Sequence, residues 1–498
     1  MALHDSDILP ENNTHPKWWK DPGLRTLNFL ILGIISIQIT SGYDQVVVGS
    51  FQAMRPWLND MGNPGPSRMG LITTATFIGS LVGSLPASSC SDRFGRKSGL
   101  LLGSLATIAG SIFQTAARGY IQFTFGRALV GVGISFNVIA GPSLIAELAH
   151  PRQRGAVSGF FNTLWYVGSI AAAFTSFGTG HLKTSWSWRI PSLLQVLPPL
   201  FLLSILRYIP ESPRYLLARG REQDAYAMLV KYHANGHDND KLVEWEIQGI
   251  KNDIETEVEN ARAPWSTLWD TKASLKRTLC VLSVAFLCLW SGQSFIGYYF
   301  SPILSQVGIL GTARQTGING ALQVSNLATS LAGALLADRI GRRALWMISV
   351  ATMILANAGT IVASAKATDN SNAASHTVVV FLFIYSAGYT IACNPLCYAY
   401  PAELLPFSVR TKGLSVYVFF SYILATVDIY VNPIALAAIS WRFWFVYLGL
   451  LVSGFVLVYF AWAETKGLSL EATGRLFDKG STECSGKLEG YSSQITSD

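Results

Sequence analysis

A short charged cassette occurs twice in this chain, each time between two long apolar segments. The two copies are residues 92–97 (DRFGRK) and residues 338–343 (DRIGRR), which begin 246 positions apart. In each copy a glycine tolerates backbone angles that other residues avoid, so the chain can reverse direction between two helices. The duplication indicates that one half of the chain was copied, and that the junction between its second and third apolar segments was kept.

Two further elements recur in the same order along the chain. An acidic residue followed seven positions later by an arginine comes after the fourth and the tenth apolar segments, and a short acidic motif closes each half. The two copies of these elements lie 256 and 253 positions apart, close to the 246 positions between the cassettes. Three elements repeated in the same order at similar offsets make chance repetition a poor explanation. The recurring elements are Glu147 with Arg154, Glu403 with Arg410, and the motifs at 211–214 (ESPR) and 464–467 (ETKG).

The composition is that of a membrane protein. Half of the residues are hydrophobic and only 13% are charged, whereas a soluble domain carries about a quarter of its residues as charges. Because a membrane span needs roughly 20 apolar residues, the sequence predicts twelve spans in two pseudo-symmetric bundles of six helices, an all-α fold. The predicted spans are 27–51, 70–89, 98–117, 121–144, 155–178, 188–209, 278–303, 317–337, 344–364, 377–400, 412–437 and 442–463.

The basic residues concentrate on one side of the predicted spans, which favours a cytoplasmic location for both termini. A charged segment separates the two halves and must lie in water. Its apolar residues recur at spacings of three and four over 243–258, which indicates an amphipathic helix rather than a solvated tether. The expected divisions are a cytoplasmic tail (1–25), a first bundle (26–209), a cytoplasmic helical loop (210–277), a second bundle (278–463) and a cytoplasmic tail (464–498).

The sequence has no pattern of a nucleophile with a base, a metal-ligand cluster or a phosphate-binding loop. We therefore expect no enzyme, no cofactor and no metal site. The net charge of +7 is not an indication of nucleic-acid binding, because basic residues of a membrane protein mostly report its orientation. The expected surroundings are the lipid bilayer.

Three charged residues lie not at the ends of the apolar spans but deep within them, where such residues are costly and usually functional. Asp44 and Arg127 are each the only charge in their span of the first half, and Asp428 is the only charge between Gly413 and Ala437. An aspartate that alternately meets and leaves an arginine can bind and release a proton, whereas a permanent contact would be a structural ion pair. For Asp428 we predict either contact with a substrate hydroxyl, a part in coupling, or simple hydration near the outer mouth.

The charged residues around the cassettes have two possible roles. They can anchor the loops to the cytoplasmic side, or they can act as a latch of ion pairs between helix ends that breaks when the halves rock. Exposed ion pairs contribute only about 0–1 kcal/mol each, which suits a gate that opens often, so we favour the latch. The predicted gate residues are Asp92, Arg96, Glu147, Arg154, Glu211, Arg214, Asp338, Arg342, Glu403 and Arg410.

In this ordered set of motifs the chain resembles the sugar porter family of the major facilitator superfamily, from about residue 42 to residue 471. Segments in spans 5, 7, 10 and 11 are most similar to its fungal branch of lactose permeases and cellodextrin transporters. The resemblance implies alternating access, a proton-coupling role for Asp44 and Arg127, and a sugar contact for Asn326. The motifs are 42–44 (GYD), both cassettes, 126–127 (GR), Glu147 with 151–155 (PRQRG), 210–214 (PESPR), 298–299 (YY), 401–403 (PAE) with Arg410, and 464–467.

Sugar recognition requires amide and hydroxyl groups for the sugar hydroxyls and aromatic faces for the ring. Several positions depart from the hexose-transporter pattern: Asn162 replaces a glutamine, Cys288 and Leu289 replace paired glutamines, and Tyr398 replaces a tryptophan. We therefore favour a disaccharide over a hexose, with a non-sugar cargo left open. The candidate substrate-binding residues are Asn162, Trp165, Gln293, Ser294, Tyr298, Tyr299, Asn326, Asn394, Tyr398 and Asp428.

These observations predict a proton-coupled sugar importer of the plasma membrane, with a monomer as the functional unit and with sugar and proton as its small partners. The alternative within transport is a facilitator or exporter of another polar metabolite. A sensor that resembles a transporter is less favoured, because fewer than 30 residues follow Glu471.

Overall fold

The computed structural model describes residues 10, 12–15, 17–261, 264–367, 372–406 and 409–466. Within these ranges the secondary structure is helical, as the sequence predicts. The α-helices are α1 Pro22–Phe51, α2 Arg55–Asp60, α3 Pro66–Phe94, α4 Arg96–Thr115, α5 Tyr120–Leu148, α6 Arg154–Thr179, α7 Trp186–Leu194, α8 Leu197–Ile205, α9 Pro213–Ala218, α10 Glu222–His233, α11 Lys241–Ala261, α12 Lys272–Leu289, α13 Gln293–Gln306, α14 Thr312–Ile340, α15 Arg342–Ala367, α16 Asn372–Leu404, α17 Arg410–Ile439 and α18 Trp444–Ala461.

Ten helical stretches in the described part of the chain are long and apolar enough to cross a membrane. Three of the ten contain two α-helices each: Trp186–Ile205, Lys272–Gln306 and the 50-residue stretch Lys412–Ala461. The predicted span 155–178 corresponds to α6, which has 26 residues and is not among the ten. A multi-pass membrane protein is therefore confirmed, whereas the count of twelve spans stays a prediction.

Each half of the chain has its own hydrophobic core. In the second half a single cluster of buried residues runs from Cys280 to Trp462 and draws on α12 to α18. The first half has two clusters, one of which extends into the linker helices through Val243 and Ile247. Met69 and Phe77 of α3 also pack against the cluster of the second half, so the two halves are in apolar contact there.

Glycines allow α1 and α6 to cross in very close contact. A Cβ atom on Gly42 of α1 would lie 1.8 Å from the carbonyl oxygen of Trp165, and one on Gly168 of α6 would lie 2.0 Å from that of Ile39. Small residues at such crossings let helix backbones approach within a membrane, where van der Waals packing drives association. Asp44 lies two residues after Gly42, so it is close to this crossing with the middle of α6.

Two predicted spans are interrupted, which corrects the prediction of continuous helices. The span predicted over 188–209 consists of α7 and α8, which are separated by a turn at Gln195 before two prolines. The span predicted over 278–303 consists of α12 and α13, and the break between them contains Gly292 with a φ of +92°. A positive φ ends a helix at low cost only at glycine. Each break leaves backbone N–H and C=O groups in the middle of a span outside the regular helical hydrogen-bond pattern.

The polar linker between the halves forms α9, α10 and α11. The amphipathic helix that the sequence predicts over 243–258 is α11, whose apolar side is buried through Val243 and Ile247. On α10, the buried His233 contacts Glu246 at 2.7 Å through Nδ1 and the Leu148 carbonyl oxygen at 3.1 Å through Nε2. These contacts tie the linker to the end of α5.

The segment that precedes α1 docks on the same linker. The amides of Asn12 and Asn13 donate to the carbonyl oxygens of His233 and Ala234 at 2.9 and 2.8 Å. Asp21 caps α1 through the Leu24 N–H at 2.9 Å and accepts from the Asn235 amide at 2.8 Å. Burial alone would raise the pKa of Asp21, but these hydrogen bonds lower it below its ordinary value.

His150 lies in the turn between α5 and α6, beside this docked segment. Its side chain is 1% exposed, and its ring centre is 5.1 Å from that of His233. Burial, together with the nearby His233 and Arg152, lowers the pKa of His150 to about 3. The imidazole is therefore neutral at physiological pH.

Candidate functional site

A buried ion pair joins α1 to α5 inside the first half. Asp44 of α1 is 2% exposed and Arg127 of α5 is fully buried. The pairing is bidentate, with both Nη–Oδ distances at 3.2 Å. Arg127 also donates from Nε to the Ile72 carbonyl oxygen at 2.8 Å. The two charges that the sequence singles out in the first half are thus direct partners.

The carboxylate of Asp44 accepts two more hydrogen bonds from residues that the sequence did not indicate. The Gln195 amide donates to Oδ1 at 3.1 Å, and the Thr76 hydroxyl donates to Oδ2 at 3.3 Å. Gln195 reaches this position because it lies in the turn between α7 and α8. The available signal in the sequence was a glutamine within an apolar span, three residues before a pair of prolines. Each carboxylate oxygen now has two donors, as an ionised carboxylate requires.

The first cassette forms a compact turn in which a glutamate caps a helix. Gly95 has a φ of +95°, and the carboxylate of Glu211 accepts from the backbone N–H of Arg96 at 3.1 Å. A Cβ on Gly95 would lie 2.5 Å from a Glu211 oxygen, so only glycine fits. The Arg96 guanidinium lies 3.3 Å from both Asp92 and Glu147.

The second cassette repeats this geometry with its own residues. Gly341 has a φ of +109°, and Glu464 accepts from the backbone N–H groups of Arg342 and Arg343 at 2.9 and 3.0 Å. The Arg342 guanidinium lies 3.2 Å from Glu403. The sequence identified Glu464 as part of the repeat but did not predict it as a gate residue. In the structure it caps the turn of the second cassette.

The remaining predicted gate residues are placed differently. Arg154 lies 3.9 Å from Glu246 of the linker helix α11, instead of facing the cassette. Arg410 donates to the Leu405 carbonyl oxygen at 3.4 Å, which closes the turn before α17. Arg214 is half-buried in the first turn of α9 and has interaction partners there. The side chain of Asp338 lies outside the part of the chain that the structure describes.

Amide oxygens without partners mark the middle of three helical spans. The side-chain oxygens of Gln38 on α1, Gln293 on α13 and Asn326 on α14 are buried and have no hydrogen-bond partner among the described residues. Buried amide oxygens are normally satisfied, and these three helices pack against one another. Gln45, two helical turns after Gln38, faces Gly297 of α13, so this side of α1 faces the second half. Gln38 was not predicted.

Other predicted substrate residues lie on α6 and α16, both of which pack against α14. The Asn394 amide donates to the Ser330 hydroxyl at 2.7 Å. Tyr398 is 49% exposed, and Tyr417 of α17 packs edge-on against it at 5.8 Å. Asn162 and Trp165 are partly buried on α6.

The aromatic residues of α13 are more enclosed than expected for substrate contacts. Tyr299 is fully buried and donates its hydroxyl hydrogen to the Ile429 carbonyl oxygen at 2.8 Å. Tyr298 packs edge-on against Phe77 at 5.9 Å, close to the Asp44–Arg127 pair. Ser294 lies near Asp428, whose side chain is buried with 5% exposure.

Hydrogen bonds join the two halves near the end opposite to the cassettes. The Gln52 amide donates to the Tyr298 carbonyl oxygen at 2.7 Å, and the Ser301 hydroxyl donates to the Gly49 carbonyl oxygen at 3.0 Å. Thr312 donates to the Ala53 carbonyl oxygen at 2.7 Å. These contacts hold the carboxyl end of α1 against α13 and α14.

A cavity of about 530 Å³ lies on the outer surface of the first half, between α1 and α6. Its lining is almost entirely apolar and includes the exposed Phe29, Leu32 and Phe160. It faces away from the Asp44–Arg127 pair and from the unpartnered amides. This cavity is therefore not part of the candidate site.

Two bundles with separate cores, a charged turn repeated in each, and a polar interior between them define a multi-pass membrane transporter. The family described as "Sugar (and other) transporter" matches residues 30–477. The chain belongs to this family, the sugar porters of the major facilitator superfamily, and it is a transporter rather than an enzyme.

Relatives and solved structures agree with this assignment. The chain is 26% identical to the low-affinity glucose transporter HXT3 of Saccharomyces cerevisiae over 456 residues, covering 88% of this chain and 80% of that protein. It is 27% identical to the galactose transporter of the same yeast over 472 residues, covering 91% and 82%. The inward open structure of the xylose transporter XylE from E. coli superposes with a TM-score of 0.75 at 20% identity, covering 90% of this chain and 99% of that one. The last comparison shows a shared fold.

Proposed function

We propose that this protein is a proton-coupled sugar importer that works by alternating access, with twelve membrane spans and both termini in the cytoplasm. The buried Asp44–Arg127 pair is the observation that carries the coupling. Relatives that are named glucose and galactose transporters support a sugar as the cargo and the plasma membrane as the location. The functional unit is a monomer, because each chain contains both halves.

The proton is carried by Asp44 in this proposal. With two donors on each oxygen, the carboxylate is fully occupied and has no site for a proton while the pair is closed. A proton can bind only when Arg127 or Gln195 withdraws. Gln195 lies at a helix break, which is a joint that can move without unfolding a span. The closed pair therefore represents the state after proton release.

The sugar binds between the halves, near the unpartnered amide oxygens of Gln38, Gln293 and Asn326. A sugar hydroxyl would donate to each oxygen, which removes the cost of leaving a buried acceptor unpaired, about 1–3 kcal/mol per group. Tyr398 provides an aromatic face, and Asn162, Trp165 and Asn394 complete the polar lining. Hydrogen bonds at the end opposite to the cassettes support access from the cassette side in this conformation.

A disaccharide is favoured over a hexose because this chain has smaller side chains at several positions of the hexose-transporter pattern. Asn162 and Tyr398 are shorter than the residues that they replace, which enlarges the space for a second sugar ring. The second candidate function is a facilitator or exporter of a hexose or of another polar metabolite, and the names of the yeast relatives favour the hexose.

The test is uptake of labelled sugars by the full chain in proteoliposomes with an imposed pH gradient. We expect accumulation of a disaccharide that a protonophore abolishes, with loss of accumulation but retention of sugar exchange in Asp44→Asn. The control is Asp224→Asn, an exposed acid of α10. Equal uptake with and without the protonophore would contradict symport, and accumulation of hexoses alone would contradict the disaccharide.

The charged cassettes are proposed as the latch that limits opening on the cytoplasmic side. In each half an arginine bridges to a glutamate of the neighbouring span, Arg96 to Glu147 and Arg342 to Glu403. Each pair is partly exposed, so its strength is modest. Both pairs lie within one half and are formed in this conformation, so the latch would act by holding together the cytoplasmic ends of neighbouring spans in each half.

A further inference from the structure

Asp428 is a buried acid that the Asp44–Arg127 pair does not explain. It lies on α17 in the second half and is 5% exposed. Among the described residues, the groups of other helices near it are hydroxyls rather than cations, in contrast to the arginine that faces Asp44. The Tyr447 hydroxyl of α18 contacts Asp428 directly. Ser294 and Tyr299 of α13 and Tyr385 of α16 lie nearby, and the last two donate to the carbonyl oxygens of Ile429 and Ser291.

Asp428 forms a closed ring of contacts with Asn432 and Tyr447. The Tyr447 hydroxyl lies 3.1 Å from Oδ1 of Asp428 and also contacts the side-chain oxygen of Asn432. The Asn432 amide nitrogen lies 3.4 Å from Oδ2 of Asp428. Asn432 is one helical turn after Asp428, and both it and Tyr447 are buried. Every side chain of the ring touches the other two.

The ring requires one more proton than an ionised aspartate leaves available. Three contacts need three hydrogens, but Tyr447 supplies one hydroxyl hydrogen and Asn432 can direct only one N–H into the ring from its nitrogen. With the asparagine as placed, the tyrosine cannot donate to both oxygens. With its amide turned over, the asparagine oxygen faces Oδ2 of Asp428 without a hydrogen between them. In either orientation one contact of the ring lacks a hydrogen while Asp428 is ionised, and a proton on Asp428 supplies it.

We propose that Asp428, Asn432 and Tyr447 form a second proton-binding site, in the second half of the protein, which is occupied in this conformation. The proton comes from water and forms an O–H bond on the Asp428 carboxyl group. It returns to water when the ring opens. The site consists of a carboxylic acid that donates to one neighbour and accepts from another.

The two buried aspartates therefore have opposite occupancy in the same conformation. Asp44 accepts from four donors and holds no proton, whereas Asp428, which has no cation against it in the described part of the chain, holds one. After loss of the proton the Tyr447 hydroxyl can donate to Asp428 or to Asn432 but not to both, which weakens the contact between α17 and α18. Proton binding at Asp428 is thus linked to the packing of the second half. A link to sugar transport rests on the proposed function, but the site itself does not.

The direct test is infrared spectroscopy of the full chain in lipid nanodiscs at neutral pH, which detects the C=O stretch of protonated carboxyl groups. We expect a band that shifts on exchange into heavy water and that Asp428→Asn removes. Asp44→Asn and the surface control Asp224→Asn should leave it unchanged. Tyr447→Phe should retain the band but shift its frequency, because a hydrogen-bond partner of the acid is lost.

Persistence of the band unchanged in Asp428→Asn, or its absence from the unmodified protein, would overturn the proposal. An unshifted band in Tyr447→Phe would refute the ring. Should Asp428→Asn fail to fold, Asp428→Glu provides the comparison, because it keeps the acid and should move the band without removing it. If wild-type uptake proves insensitive to the proton gradient, the proposed symport fails while the infrared result still stands.

Proteoliposome uptake then shows whether the second site takes part in coupling. We expect Asp428→Asn to lose proton-driven accumulation while retaining sugar exchange, with the Asp44–Arg127 pair intact. Full accumulation in this variant would restrict the site to a structural role and overturn its link to transport.

Discussion

The Asp44–Arg127 pair makes a prediction about stability that is separate from transport. Replacing Asp44 with asparagine leaves the Arg127 guanidinium fully buried without a counter-charge. The carboxylate of Asp44 has two acceptor oxygens, whereas asparagine has one oxygen and one NH2 group. The NH2 group would face the N–H donors of Arg127 or Gln195, so two donors would be in contact. Removing one partner of a buried pair costs about 3–5 kcal/mol. If the first half unfolds as one unit, this corresponds to a fall in midpoint temperature of roughly 10 °C.

The double variant Asp44→Asn with Arg127→Gln removes the stranded charge as well as its partner. We therefore expect it to be more stable than Asp44→Asn alone, even though it carries an additional substitution. The assay is thermal unfolding of the purified chain in detergent, followed by tryptophan fluorescence, for wild type, both single variants and the double variant. Asp224→Asn controls for loss of an acid at an exposed position.

Two outcomes would refute this reasoning. A destabilisation below about 1 kcal/mol in Asp44→Asn would mean that water or another acceptor reaches Arg127, because an exposed pair contributes no more than that. A double variant less stable than Asp44→Asn would mean that the arginine contributes through packing and its bond to Ile72 rather than through its charge.

Two further predictions concern helix packing and pH. Gly168→Ala should separate α1 from α6 and lower the yield of folded protein, because the alanine Cβ would lie 2.0 Å from the Ile39 carbonyl oxygen. Gly178→Ala in the same helix should not lower the yield, because no atom lies within 4 Å of the added Cβ. Equal yields of the two variants, measured by size-exclusion chromatography, would contradict this. Burial holds the pKa of His150 at about 3, whereas a histidine in the unfolded chain titrates near 6.5. The neutral ring therefore contributes its full stabilisation above pH 6.5, and this contribution decreases as the pH falls toward 3. Acidification from pH 7 to 5 should cost about 2 kcal/mol, and His150→Gln should remove this part of the slope in thermal unfolding; an unchanged slope would contradict it.

The repeated cassettes show how far local chemistry could be followed from the sequence. The glycines at 95 and 341 were expected to turn the chain, and both have a positive φ. A turn of this kind depends on a few neighbouring residues and on the stereochemistry of glycine, so it can be predicted without knowledge of the fold. The same motifs, taken in order, also predicted the family correctly.

The partners of the buried charges could not be predicted in this way. The contact of Asp44 with Gln195 joins residues 151 positions apart, and it exists because α7 ends where the side chain can reach the carboxylate. Interruptions of the sixth and seventh predicted spans were also missed. A span can be broken without losing its apolar length, because neighbouring helices satisfy the freed polar groups.

By itself the sequence determined that this chain crosses a membrane many times, that it consists of two related halves, and that three charged residues lie deep within its apolar spans. These properties follow from apolar length and from short motifs, which are local. Only the tertiary structure decided that Asp44 faces Arg127 while Asp428 faces hydroxyl groups. The state of a buried acid depends on the donors and cations that other helices bring to it, and a linear sequence does not specify those distances.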